Sequence, residues 1–265
     1  LLPLGDLSFS IAGERKSGLL APTFSVNSKL GADLTVPYYL NIAPNRDLTL
    51  YPRLVGRRGA QIGADLRLLG KSHRSEFGIQ ILPADKIAKE DRWLGKLNST
   101  YHFSPRKLVS INLTRVSDND YFADFGASVL AASQRILPTT LQFSGKQGGW
   151  NYTGAYQGYQ VLQDPGAPIL PPYEWSPKFV FFNDDALSLK KKQILLELAA
   201  EATHFTHPTL IEGTRLIGKA NVSTPLNLGV FRVLPSANLH YTLFKRSRDG
   251  SAAATERRFS LDPSL

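Results

Sequence analysis

Residues 31–53 read GADLTVPYYLNIAPNRDLTLYPR, and the reading of this stretch decides the fold. Its apolar side chains recur at every second position. Ala32, Leu34, Val36, Tyr38, Leu40 and Ile42 form a first row; Leu48, Leu50 and Leu54 form a second, with Asp47, Thr49, Tyr51 and Arg53 opposite. Period two marks strands whose two faces meet different surroundings. Ala43-Pro44-Asn45-Arg46 is turn-forming by composition, which predicts a hairpin. Each strand carries a proline well inside its run, Pro37 and Pro52. Proline has no N–H to give a ladder, so strands that hold one lie at an edge or beside a weak seam. The hairpin therefore has a weakness built into it.

The same alternation runs outward from the hairpin. Upstream, residues 1–23 alternate weakly around the polar knot Gly13–Gly18, and Asn27 to Leu30 reads as a turn. Downstream, period two predicts strands at 60–68, 76–81, 93–103 and 109–113, then at 139–146 and 150–161, joined at Gly148-Gly149. Val116 to Ser133 is too polar and aromatic for a simple turn. Gln163 to Pro172 holds four prolines and is predicted to be a loop. Leu189 to Phe205 is the contested segment: its Ala, Leu, Lys and Glu favour helix. Yet Leu196, Leu198, Ala200 and Ala202 also share a period-two row opposite Glu197, Glu201 and Thr203. Context favours a strand there. Phe179 and Phe181 begin a further strand, and others are predicted at 214–223, 230–233, 237–245 and 256–261. The expected fold is all-β, an antiparallel transmembrane β-barrel segment of roughly ten to twelve strands belonging to a larger barrel. A soluble barrel or sandwich shares the antiparallel meander. The long strands, the aromatic residues near their ends and the polar rows opposite the apolar ones favour the membrane barrel.

Composition bounds the function. The 265 residues contain no methionine, which suits a mature or internal fragment, and no cysteine, which excludes disulfides and thiolate metal sites within this chain. At 42% hydrophobic and 20% charged it is neither a disordered chain nor a helical membrane protein. The net charge of +9 fits either a solvated basic surface or an anionic partner such as nucleic acid, membrane phosphate or a phosphorylated lipid.

No catalytic constellation and no cofactor motif is present. His204 and His207 lack carboxylates at ligand spacing, so surface or lumen histidines are expected and no metal site. Asp118-Asn119-Asp120 and Asp184-Asp185 lack the spacing of a calcium loop and read as turns. Arg57-Arg58, Lys190-Lys191-Lys192, Lys245-Arg246 and Arg257-Arg258 are expected at solvated loop ends. Dispersed in this way, they do not form a nucleic-acid face.

Several blocks together resemble one family. They are Glu14–Gly18, Leu34–Asn45 with Tyr51-Pro52-Arg53, and Arg57-Arg58-Gly59 with Arg67. Leu82–Asp85, Arg115–Asp118, Asp120-Tyr121-Phe122, Asp124-Phe125, Gly148-Gly149-Trp150, Tyr159-Gln160 and Gly213-Thr214-Arg215 follow. These are similar to the LptD family of outer-membrane lipopolysaccharide-assembly proteins, over nearly the whole chain; Leu40 departs from it, standing where an aromatic is common.

The resemblance implies that residues 1–20 are the exit of a periplasmic jelly-roll domain with its linker, including Arg15 and Lys16. Residues 21–265 would be the N-terminal portion of the barrel. It implies a lateral gate, with Pro37, Pro52, Tyr38, Asn41 and Asn45 on the strands beside it. Lipopolysaccharide would pass through the barrel into the outer leaflet of a Gram-negative outer membrane, with no enzymatic step. The implied partners are lipopolysaccharide, outer-membrane lipid, a lumen-plugging lipoprotein of the LptE type and a periplasmic bridge protein of the LptA type. A general porin or receptor barrel and a soluble β-sandwich binding module are the competing readings. The first would lack the paired prolines, and the second needs its apolar rows to face each other.

Overall fold

A computed structural model describes residues 15–126, 129–183, 187–189, 194–247 and 255–264. Asp184-Asp185, Lys190-Lys191-Lys192 and the segment before Arg15 lie outside the described residues. In chain order the elements are β1 Gly18–Leu19, β2 Thr23–Asn27, β3 Gly31–Thr35, β4 Tyr38–Ala43, β5 Arg46–Val55, β6 Gly59–Leu69, β7 His73–Leu82, β8 Arg92–Ser104 and β9 Lys107–Val116. Two short helices follow, α1 Tyr121–Phe125 and α2 Val129–Ala132. Then come β10 Ile136–Gln147, β11 Trp150–Val161, β12 Glu174–Asn183, β13 Leu187–Leu189, β14 Ile194–Thr206 and β15 Glu212–Ser223. The last are β16 Leu226–Leu228, β17 Phe231–Val233, β18 Ser236–Ser247 and β19 Thr255–Ser264. Among the described residues, twelve strands have ten or more residues, the length a tilted membrane-crossing strand needs.

The chain divides into two compact units, each described by itself. The first comprises residues 1–101, 111–138 and 160–169; the second comprises 102–110, 139–159 and 170–265.

In the first unit β3 and β4 both pair antiparallel with β5, and β5 through β8 follow as a meander. The registers line the apolar rows up across strands. Pro52, Ile62, Ile81 and Trp93 form one rung; Tyr38, Leu50, Ala64, Ile79 and Gly95 form the next. This face is exposed: Leu34, Leu54, Ile62, Phe77, Ile79, Ile81 and Trp93 keep between 37% and 60% of their surface open. A contiguous apolar patch of this kind marks an interaction or membrane surface. The opposite face is polar and partly buried, with Asp47, Thr49 and Gln61 each under 8% exposed. A sandwich of two apolar faces in contact is therefore not what this unit builds.

The second unit is a meander too, β11, β12, β14, β15, β18 and β19 pairing in that order, with β13 on β14 and a small β16–β17 hairpin. From Ile194 the contested segment is strand β14: Glu201 faces the polar side, where Arg215 Nη2 reaches it at 2.7 Å and Lys178 Nζ at 3.5 Å. Ladder bonds to β12 and β15 on both sides override its helical composition.

Two expectations need correction. The segment after Val116, read as a long loop in a chain without helix, holds the helices α1 and α2. And Arg58, expected at a solvated loop end, is buried.

Candidate functional site

The first seam of the hairpin lies where its prolines predict. Val36 and Pro37 interrupt the strand between β3 and β4, although the pairing with β5 keeps one register on both sides, Thr35 opposite Arg53 and Tyr38 opposite Leu50. Across the gap Val36 N–H donates to Pro52 O at 3.0 Å. In an antiparallel hydrogen-bonded pair the second residue returns a bond. Pro52 has no N–H to return. The neighbouring seam repeats this: Leu20 N–H donates to Pro37 O at 2.9 Å, and Pro37 returns nothing.

A third proline, not singled out by the sequence reading, completes the line. Leu19 pairs with Tyr38 and Thr23 with Thr35, so Ala21 and Pro22 together face Val36 alone. That is a β-bulge, one extra residue on one strand. Pro22, Pro37 and Pro52 thus stand on three adjacent strands, Pro22 and Pro52 at the level of Val36 and Pro37 one residue along. The signal was in the sequence as an even spacing of 15 residues. Each halved rung forgoes about 1 kcal/mol of net hydrogen bonding.

The other expected residues gather at the nearby turn. Asn41 N–H donates to Ser17 Oγ at 2.8 Å, and its amide donates to Arg15 O at 2.6 Å. Arg15 reaches Asp47 at 3.4 Å, which Arg67 holds at 2.7 and 3.0 Å and the Tyr39 hydroxyl at 3.3 Å. Asn45 accepts from Leu69 N–H at 2.8 Å. Tyr38 is on the apolar face, and Lys16 is exposed. So the structure joins Arg15 to Asn41, leaves Tyr38 on the other face, and gives Lys16 no special position.

At the far end of β5–β8 the resembling blocks, distant in sequence, converge. Arg92, 1% exposed, donates to Asp118 at 2.9 and 2.5 Å and to Asp124 at 2.6 Å, and lies 3.4 Å from Asp85. Arg58 binds Asp85 at 2.7 Å and Asp124 at 2.8 Å. The Phe125 ring sits beneath three guanidinium groups, those of Arg92 at 4.9 Å, Arg58 at 5.2 Å and Arg53 at 5.8 Å. The Tyr121 hydroxyl donates to Gln80 at 3.0 Å and accepts from Gln61 at 3.3 Å. A five-residue helix has no stability of its own. These contacts fix α1 against the polar wall.

Burial pushes the Tyr121 phenol up to about 12, so it is a neutral donor throughout the physiological range. For Asp85 burial alone would raise the carboxyl, but the Ile87 N–H and the Arg58 guanidinium outweigh it and hold it low. Asp118 is likewise lowered, Arg92 and Ser117 outweighing burial. A depressed carboxylate contributes stability above its unfolded value, lost as pH falls through the folded one. Docking of α1 is therefore expected to hold from neutral pH to about 4 and to weaken below it. Amide exchange at residues 121–125 checks this; lost protection between about pH 7 and 5 contradicts it.

The histidines have their own partners. His204 Nδ1 is 3.0 Å from Thr214 Oγ1. His207 Nδ1 accepts from Thr209 and Leu210 N–H at 3.0 and 2.8 Å, so its Nε2–H donates to Pro171 O at 2.8 Å. Among the described residues no three metal-ligating side chains cluster.

Comparison with known proteins places the chain in a family. Residues 90–263 match the family model LPS transport system D. An LPS-assembly protein LptD of Nitrosospira multiformis is 34% identical over 98% of this chain, and one of Thiobacillus denitrificans is 35% identical over 97%. One of Nitrosomonas eutropha is 34% identical over 92%. The chain spans about a third of the length of these relatives, 29%, 35% and 34% respectively. The chain belongs to the LptD family, and its all-β, antiparallel strands are a β-barrel segment of it.

Proposed function

We propose that this chain forms one side of a lateral opening through which an outer-membrane β-barrel of a Gram-negative bacterium delivers lipopolysaccharide to the outer leaflet. The carrying observation is the line Pro22, Pro37, Pro52, which halves one rung in each of two adjacent seams, one residue apart along the strands. An opening needs strands that separate at small cost while the rest of the wall stays paired, and missing donors provide this without exposing a charge. The exposed apolar face suits lipid and the polar face a wet lumen. Movement of an amphiphile past such a seam makes and breaks no covalent bond, so no catalytic group is required of it.

In this reading residues 1–20 lead from a periplasmic domain, with Arg15 and Lys16 in the linker. The Arg15–Asn41 and Arg15–Asp47 contacts tie the linker to the seam. Tyr38, Asn41 and Asn45 belong to the strands of the gate. A lumen-filling lipoprotein of the LptE type and a periplasmic bridge of the LptA type are the proposed partners. A photo-crosslinking residue placed at Thr35 or Tyr38 of the full-length protein tests it. Adducts with lipopolysaccharide are expected during export. Their absence at both positions, with protein present in the outer membrane, would refute the opening.

A further inference from the structure

The connection from β15 to β18 differs from the turns at its end of the strands. Two residues each join β4 to β5, β8 to β9 and β10 to β11, namely Pro44-Asn45, Pro105-Arg106 and Gly148-Gly149. Between Ser223 and Ser236 the chain instead runs through residues 224–235, TPLNLGVFRVLP, which hold the hairpin β16–β17. Periplasmic turns of outer-membrane barrels are short, so a long one there marks a function. From the Pro44-Asn45 turn to this connection the chain crosses by β5 to β12, then β14 and β15. The number of crossings is even. In the membrane reading both connections therefore lie at the periplasmic end, where the linker joins.

The hairpin is a small sheet by itself, yet it keeps the register of the strands that lead to it. β15 pairs with β18 down to Ser223 opposite Ser236, and β16 resumes with Leu226 opposite Val233 in the same register. The rung between them is halved: Thr224 N–H donates to Pro235 O at 3.2 Å, and Pro235 has no N–H to return. Because the phase is kept, the pair Leu226–Val233 falls on the face of Val222–Ala237 and Gly218–Tyr241, the apolar one.

Leu226 is 44% exposed, and Val230 at the tip is 93% exposed. Residues 224–235 contain no acidic side chain and a single basic one, Arg232. A two-stranded hairpin is marginal alone and needs its apolar face covered. Height indicates what covers it. On β8 the outward row runs from Trp93 to Phe103, ten residues on. At about 3.3 Å per residue and a tilt of about 40° this is about 25 Å, the apolar band of an outer-membrane wall. On β15 the row from Leu216 to Val222 advances six residues, or about 15 Å. Carried on to Leu226 it advances ten, as on β8.

We propose that the β16–β17 hairpin is the periplasmic-leaflet end of the lipid-facing surface, with Leu226, Val230 and Val233 among the acyl chains of that leaflet. The halved rung at Pro235 lets it bend with the bilayer surface instead of standing off from it. A soluble partner would meet the hairpin below the bilayer, whereas phase and height put Leu226 inside it. The proposal rests on the membrane reading and adds a lipid-contacting element remote in sequence from the proline line.

The test places an environment-sensitive fluorescent amino acid at Val230 of the full-length protein, held in nanodiscs of phosphatidylcholine and phosphatidylglycerol. The quenchers are a nitroxide on the lipid acyl chain and iodide in the water. The label at Val230 is expected to lose most of its emission to the nitroxide and little to iodide. The same label at Arg106, exposed in a two-residue turn, should do the reverse. A label at Tyr241, on the apolar face of β18, reports the membrane reading by itself. Iodide quenching at Val230 equal to that at Arg106, with Tyr241 still quenched by the nitroxide, would overturn the proposal and leave the membrane reading intact. Protection of Val230 from both quenchers would overturn it too, since protein would then cover the tip. Iodide quenching at Tyr241 would overturn both.

Discussion

Arg92→Leu is expected to destabilise the full-length protein by about 3–5 kcal/mol, because it leaves buried acidic partners without their cation. Asp118 loses both of its guanidinium bonds and Asp124 one of two. The ring of Phe125 loses the nearest of its three cations. Arg92→Lys keeps the charge but not the planar fork that serves Asp118 and Asp124 together, so most of the loss should persist. Arg74→Ala provides the contrast: its pair with Glu76 is exposed on both sides, and about 0–1 kcal/mol is expected. Denaturant unfolding in detergent measures the difference, and amide exchange across residues 117–126 localises it. Equal midpoints for Arg92→Leu and Arg74→Ala would mean that α1 is not held by this cluster.

Replacing Pro37 and Pro52 together by alanine is expected to close the seam. Each alanine supplies an N–H aimed at a carbonyl already in place, that of Leu20 for position 37 and that of Val36 for position 52. Two added rungs at about 1 kcal/mol each amount to about 2 kcal/mol, a reduction of about thirtyfold in the separated population. Delivery of lipopolysaccharide to the cell surface should fall accordingly, with the protein's level and stability maintained or raised. Unchanged delivery by the double variant would remove the support the prolines give to the gate. A fall caused only by lost protein would show as a reduced amount in the membrane.

The strands were legible because period two survives in almost every segment. The hairpin at residues 31–53 and the polar rows facing Leu48 and Leu50 needed only local sequence. The ion cluster was not legible, since a doublet such as Arg57-Arg58 looks the same whether solvated or buried. Its partners lie 27 residues away at Asp85 and further still at Asp124, and only the fold brings them together. The helix α1 escaped for a related reason: five residues show no period, and tertiary contacts alone hold them. In β14 the composition argued for helix, and the ladder decided otherwise. Of the prolines, two were found by their strands; the third was hidden by the weak alternation around it.

That weak alternation has a cause in the bulge. Ahead of it Leu19 lies on the apolar face, opposite Tyr38; after it Phe24 and Val26 do, opposite Leu34 and Ala32. The outward positions are odd-numbered before Ala21 and even-numbered after Pro22, so the hydrophobic rhythm slips by one beat. The slip is reversible on paper by removing one residue. Deleting Ala21 would put Leu20, Pro22 and Thr23 opposite Pro37, Val36 and Thr35 in unbroken phase, and no side chain would change face. A single codon therefore separates a strand with a fault from a continuous one.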